Sequence, residues 1–597
     1  MKRILLIAVL TLATSVLHAA NAPPASAPDA ASVQFNWGVK ITLRDGIRLN
    51  ATLYLPNPQA SPAPCVFTLT PYVSDTYHAR GIYFAAHGYP FAIVDVRGRG
   101  NSEGIFHPMI QEARDGYDVV EWLARQPFCN GKVAMWGGSY AGYDQWATAK
   151  EFPPHLATIV PAASPYVGVD FPMRSNIFYP YLMQWLTYTS GRALQEQIFG
   201  DDAFWSSIYR RWYESGRPFG DLDAVLGNPS PSFHEWLAHP EPDAYWDAYN
   251  PTAEQYAQLR IPILTITASY DDDQPGALEH YRRYMQAATP EGRARHFLII
   301  GPWDHAGTRT PRDTVGGLKF GPESLVDLPK LHLDWYRWTM LAGPKPAFLL
   351  KPVAYYVMGA ERWRYTDTLD AITATRQTYT LDSTGRADDP YATGMLAPGS
   401  AKGPPDSYRY DPRDVSGPEI DAEARVSGSD LTDQTVFNGL RGKELIYQTA
   451  PFEADTEVSG FFKLSAWIAI DAPDTDLYVS VHRIAPDGSS VLLATDALRA
   501  RYREGPRSPK PIRSRDPLLY EFGHFTFVSR EIKRGERLRL VIAPLGRIIE
   551  TTFVQKNYQG GGVVAEESAK DARAVTVRLF HDRSHPSTLS VPIGRPE

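Results

Sequence analysis

Apolar positions along this chain change rhythm several times. Between residues 34 and 55 they alternate: Val39, Ile41 and Leu43, then Leu49, Ala51 and Leu53, with Asp45-Gly46 between the two runs. Period-two alternation around a turn dipeptide predicts two antiparallel strands. A proline-rich loop follows over 56–64. Continuous apolar runs then recur at 66–70, 91–94, 133–135 and 156–161. Helical spacing separates them over 80–88 and over 113–126, the second through Tyr117, Val120, Trp122 and Leu123. Strands alternating with helices predict a largely parallel sheet covered on both faces.

After Ala162 that regularity stops. Residues 171–255 read as helical and aromatic, with Phe178, Tyr181, Trp185, Phe204, Trp205, Trp212, Tyr213, Trp236 and Trp246. Such an insertion inside an α/β sheet predicts a cap over the ligand cleft. Sheet-like runs resume at 261–268 and 297–300. Beyond about residue 350 the texture changes again. Residues 352–358 read as a strand, and 387–412, rich in Gly, Pro, Asp and Ser, as an extended connector. Period-two runs then dominate: Leu464, Ala466, Ile468 and Ile470; Leu477, Val479 and Val481; Leu538, Leu540 and Ile542; Val575, Val577 and Leu579. These predict an all-β domain, a jelly roll. The expected fold class is therefore α/β: a largely parallel α/β domain with a helical cap, followed by a jelly roll. The expected division is 33–170 and 256–365 for the α/β core, 171–255 for the cap and 366–597 for the β domain with its leading connector.

A chain of 597 residues exceeds what one core usually serves, which agrees with that division. A net charge of -7 gives no electrostatic footprint for nucleic acid. Residues 1–20 read as a signal peptide, with Lys2 and Arg3 ahead of an apolar run over 4–17 and small residues at Ala19 and Ala20. The run is short for a membrane span. The expectation is a periplasmic or secreted enzyme with no membrane contact after cleavage. Only Cys65 and Cys129 are present. Each precedes an apolar run, so strand neighbours would carry both thiols at the same sheet end. Export would allow a bridge there, and two buried free thiols are the alternative.

The chemistry begins at Gly137-Gly138-Ser139-Tyr140-Ala141-Gly142, which follows one apolar run and opens a helix-forming stretch. A serine on a glycine-flanked strand-to-helix turn is a nucleophile elbow. The spacing departs from the common G-x-S-x-G, because position 141 is alanine. Two later runs end in chemistry of their own. The run 261–268 leads to Ser269-Tyr270-Asp271-Asp272-Asp273, and 297–300 leads to Gly301-Pro302-Trp303-Asp304-His305. The order Ser139, Asp271, His305 is that of α/β-hydrolases. A serine hydroxyl needs a base to take its proton, and the base needs a carboxylate to fix its tautomer. His234 and His239 are five apart and miss the spacing of a zinc protease helix. No cofactor loop and no cysteine-based metal site is expected.

Together with Thr70-Pro71-Tyr72 and the run from Asp95 to Gly104 (DVRGRGNSEG), these motifs resemble the serine hydrolase family of cocaine esterases, α-amino-acid ester hydrolases and X-Pro dipeptidyl-peptidases. The resemblance extends to the β domain through Asp474-Thr475-Asp476-Leu477 and Pro486-Asp487-Gly488. That family carries G-x-S-Y-x-G at its elbow. The resemblance implies that the Tyr72 hydroxyl and the Tyr140 backbone N–H hold the oxyanion. It also implies that Asp272 and Asp273 stand where some members bind a substrate α-ammonium. The loop onward to Gly276-Ala277 is one residue shorter here, and no counterpart to the family's acid near the start of the cap is evident.

The expected activity is hydrolysis of small ester or amide substrates, of the esterase, α-amino-acid ester or β-lactam acylase type. An X-Pro dipeptidyl aminopeptidase is the alternative within the class. A carbohydrate- or surface-binding protein using the β domain is the alternative outside it. Homo-oligomer formation stays open.

Overall fold

A computed structural model describes residues 32–399, 401–414, 431–432, 442–545 and 555–596. The signal-peptide reading of residues 1–20 therefore lies outside the described residues. Among the described residues no helix is long and apolar enough to cross a membrane.

Ten strands form the first sheet: β1 (Val33–Thr42), β2 (Arg48–Pro56), β3 (Ala63–Thr70), β4 (Phe91–Asp95), β5 (Cys129–Gly138), β6 (Leu156–Ala162), β7 (Ile263–Tyr270), β8 (His296–Asp304), β9 (Val353–Val357) and β10 (Arg362–Thr366). Their spatial order is β1-β2-β4-β3-β5-β6-β7-β8-β9-β10. The seven strands from β4 to β9 in that order pair in parallel. The two edges are antiparallel, with β1–β2–β4 on one side and β9–β10 on the other. Central strands such as β7 are buried at every position, which is why they read as continuous apolar runs rather than alternating ones.

Helices α1 (His78–Ala86), α2 (Glu112–Ala124) and α3 (Tyr140–Ala149) connect the first strands. β3, β5, β7 and β8 are parallel, so the residues just beyond their carboxyl ends share one rim. Those residues are Tyr72, Ser139, Asp271 and His305. Open α/β sheets bind ligands at that rim.

Cap helices α4 (Tyr181–Tyr188) and α5 (Asp202–Ser215) stand between β6 and β7, with shorter helices down to Gln258. Asp201 caps α5 by accepting from Phe204 N–H, and Gly216 ends it in the left-handed conformation. Most of the cap aromatics pack on one another. Trp205, Trp212, Trp236 and Trp246 are fully buried.

A second, 13-stranded arrangement makes up the carboxyl-terminal part. Leu464, Ala466 and Ile468 on one strand and Leu538, Leu540 and Ile542 on another face a shared core. The connector differs from the sequence expectation. It contains two strands of this domain, Gly394–Ala397 and Asp406–Tyr410. Turn-forming residues mask them in the sequence. In the fold, the buried Asp406 carboxylate accepts from Ser383 and Tyr447 hydroxyls and the Ala387 amide, which ties this stretch into the β core.

Cys65 and Cys129 lie on adjacent strands and are free and buried. Hydrogen bonding from Cys65 brings the Cys129 thiol down to about 7, while burial pushes Cys65 up.

Candidate active site

Ser139 sits at φ 61°, ψ -128°, immediately before α3. Non-glycine residues rarely adopt such a conformation, and a surrounding fold must impose it. Here the Ser139 N–H donates to the Ala162 and Ala163 carbonyls, 3.0 Å each, at the end of β6. The unusual glycine spacing has a steric cause. A Cβ on Gly142 would lie 2.6 Å from the Ala162 carbonyl oxygen, and one on Gly137 would lie 2.6 Å from the Ala141 methyl. Glycine is thus required where α3 crosses β6, at position 142, and position 141 has room for alanine.

Asp271 and His305 are brought together. His305 Nδ1 is 2.8 Å from Asp271 Oδ1. Asp271 is buried, and it also accepts from the Thr267 hydroxyl at 2.8 Å and the Asp273 amide at 3.2 Å. With Nδ1 engaged, the histidine has Nε2 left for another partner. His305 and Ser139 line the same cavity of about 220 Å³, together with Tyr72, Met109, Tyr140, Pro165, Phe171, Tyr181, Trp185, Asp272 and Asp273. All seven residues singled out in the sequence are therefore in or against one cleft.

Tyr72 is buried, and burial pushes its phenol above the ordinary range, against hydrogen bonds from Trp185 and Ser139. The Tyr140 N–H is the first amide of α3 and has no intrahelical acceptor. The Tyr72 hydroxyl and the Tyr140 N–H thus both stand beside the serine.

The chain is similar to known proteins over most of its length. Residues 45–307 match the family described as X-Pro dipeptidyl-peptidase (S15 family). Residues 347–544 match the X-Pro dipeptidyl-peptidase C-terminal non-catalytic domain. The chain belongs to the S15 and cocaine esterase family of serine hydrolases. The cocaine esterase of Rhodococcus sp. (strain MB1 Bresler) is 26% identical, over 93% of this chain and 98% of its own. An α-amino acid ester hydrolase structure superposes with a TM-score of 0.81 at 21% identity, covering 98% of this chain and 100% of that one. An aminopeptidase from the marine sediment archaeon Thaumarchaeota archaeon gives 0.80 at 22% identity, covering 96% and 98%. The two structural likenesses establish the fold.

Within this S15-family hydrolase, several site residues escaped the sequence reading. Asp170 stands near the start of the cap, where no acid was evident. Its carboxylate accepts from Tyr166 N–H at 2.8 Å and Gly276 N–H at 2.6 Å. Gly276 is glycine because a Cβ there would lie 2.3 Å from the Asp170 carboxylate. Asp273 is held well above the usual carboxylate range, first by burial, then by repulsion from Asp170 and Asp271. Its Oδ2 is 3.8 Å from His305 Nδ1.

The Tyr140 side chain is anchored as well. Its hydroxyl donates to the buried Glu112 carboxyl and accepts from the Met109 N–H at 2.6 Å. Tyr143 donates to the Met109 carbonyl at 2.7 Å. Met109 is held at φ 67° by these two tyrosines, and it lines the cavity. Nothing in the local sequence marks a methionine loop as a cavity wall. His234 and His239 pair separately, with Asp223 at 2.9 Å and Asp243 at 2.7 Å.

Proposed function

We propose that this chain is an exported serine hydrolase cleaving esters or amides of small acyl substrates through an acyl-enzyme. Its first substrate class is amino-acid esters and related acyl donors, β-lactam side chains included. Ser139 is the nucleophile. His305 Nε2 takes the serine proton and returns it to the leaving group. Asp271 keeps the Nδ1 proton in place and stabilises the imidazolium. The Tyr72 hydroxyl and Tyr140 N–H receive the negative oxygen of the tetrahedral intermediate. Water then repeats the cycle and frees the acid.

The observation that carries this reading is the 2.8 Å Asp271–His305 bond opening onto the same cavity as a serine in strained backbone. Asp273 supports the choice of amine-bearing substrates. A carboxyl raised by burial and then by neighbouring acids is relieved by an arriving ammonium group. Export rests on the sequence of residues 1–20.

Ser139→Ala tests the chemistry. Turnover should fall roughly 10⁴-fold or more, and labelling by a fluorophosphonate probe should vanish. A variant that kept either would end the reading. A panel of p-nitrophenyl acyl esters, amino-acid esters, a cephalosporin ester and Gly-Pro-anilide tests the substrate class. The family description favours one second reading, an X-Pro dipeptidyl aminopeptidase. Preference for Gly-Pro-anilide over the esters would select it.

A further inference from the structure

One cap residue touches the side chains of both residues assigned above to the oxyanion. Trp185 on α4 is buried, at 4% exposure. Its Nε1 is 3.2 Å from the Tyr72 hydroxyl oxygen. Its indole stacks on the Tyr140 ring, with centroids 5.6 Å apart and planes 13° apart. Phe171 packs edge-on at 5.7 Å, and Trp236 lies behind it at 6.4 Å, so the indole itself is held on its far side. Tyr72 is stacked by a second α4 residue, Tyr188, at 5.6 Å.

We propose that Trp185 is a positioning residue of the oxyanion hole: it turns the Tyr72 phenol proton toward the reacting carbonyl and braces the Tyr140 end of α3. The inference rests on the reading of Tyr72 and Tyr140 as oxyanion donors. The decisive fact is chemical. An indole N–H can only donate, whereas a phenol has one proton and can also accept. The Trp185–Tyr72 bond therefore fixes Tyr72 as acceptor on the cap side. With that position taken, its single proton is free to turn to a carbonyl oxygen arriving in the cavity that Tyr72, Ser139 and Trp185 line together. Without that bond the proton has a second stable direction, and the donor is no longer preorganised. Preorganised donors carry much of the rate in acyl transfer. The same bond delocalises negative charge from the phenol oxygen, so it also strengthens Tyr72 as a donor. Because α4 belongs to the cap, cap position and oxyanion stabilisation are mechanically linked.

A double-mutant cycle on the full-length enzyme tests this, with p-nitrophenyl acetate as substrate and kcat and KM read separately. Tyr72→Phe should lower kcat about a hundredfold. Trp185→Phe keeps an aromatic wall and removes only the donor. It should lower kcat about tenfold and leave KM within about twofold. In the Tyr72→Phe background the same change should cost less than about twofold, because no phenol remains to be turned. Equal loss in both backgrounds would overturn the inference, and a general folding defect would give that result. So would an effect confined to KM, which would make Trp185 a pocket wall. If Tyr72→Phe alone left kcat unchanged, the oxyanion reading itself would fall, and the inference with it.

Discussion

Buried carboxylates are used in opposite ways in the two halves of this molecule. In the β domain two of them, Asp474 and Asp476, meet guanidinium groups. Asp476 takes a two-pronged bond from Arg499 at 2.8 and 3.0 Å, and Asp474 takes Arg501 at 2.7 Å. Asn557 bridges the two acids at 3.0 and 2.9 Å. At the rim of the α/β sheet the acids face one another instead. Asp170 and Asp273 meet backbone amides, neighbouring carboxylates and one histidine, and both are held well above the ordinary carboxylate range by burial. A buried charge without a partner is costly, so such a site persists only where something offsets it. The difference teaches where to look for chemistry. A satisfied ion pair is architecture, whereas acids crowded together at a strand terminus in a cleft are candidates for binding or catalysis.

The largest effect that sharpens this contrast is on stability. Arg499 also donates to the Asn176 carbonyl of the cap at 2.8 Å and to Gln555 at 3.1 Å. Removing one partner of a buried pair strands the other, at a typical cost of 3–5 kcal/mol. Arg499→Ala should therefore lower the urea midpoint by an amount equivalent to about 3–5 kcal/mol. An unchanged midpoint would mean that the β network is not structural.

The rim should answer in the other sense. Asp273→Asn removes a carboxyl whose charged form burial and the neighbouring acids disfavour, so the melting temperature should hold or rise. Its effect should fall on substrates with a free α-amine, with kcat/KM lower by roughly ten- to a hundredfold, about 1.4–2.8 kcal/mol. N-blocked esters should be spared. Equal losses on blocked and free substrates would break the comparison, because Asp273 would then serve His305 alone.

These contrasts were legible in the chain to different depths. The parallel sheet was visible because strands buried on both faces leave continuous apolar runs. Ser139, Asp271 and His305 were visible because each follows such a run, and a strand terminus in a parallel sheet fixes the rim without tertiary knowledge. Asp170, Glu112 and Trp185 were not. Asp170 follows the last strand by several residues of irregular loop. Glu112 is one of several acids around the start of a helix, where acids are common for dipole reasons alone. Trp185 is one of many cap aromatics, and a helical aromatic stretch does not reveal which ring turns to the cleft. The strands within the connector were hidden for a related cause. Their pairing partners lie on distant β segments, such as Val575–Phe580, so no local alternation announces them.

The smallest expected effect concerns a rim acid away from the cavity lining. Glu112 is buried beneath Tyr140, and burial pushes its carboxyl up to about 7, with hydrogen bonds from Tyr140 and the Gln111 amide working against the rise. Asp115 adds repulsion to the rise, and burial first, then Glu112, holds the fully buried Asp144 carboxyl on α3 well above the ordinary range. A raised pKa in the native state means that the fold holds this proton longer than the unfolded chain does. The stabilisation it brings is complete below the unfolded value near 4.5 and is lost as pH climbs toward 7. Glutamine keeps the shape and cannot ionise. Glu112→Gln should match wild type at pH 5 and exceed it at pH 8, by on the order of 1 kcal/mol in denaturant unfolding. Asp170 and Asp273 contribute to the pH dependence of both proteins, so the quantity to read is the difference between the two curves. Parallel curves from pH 5 to pH 8 would place the Glu112 proton elsewhere and make the rim acids independent of one another.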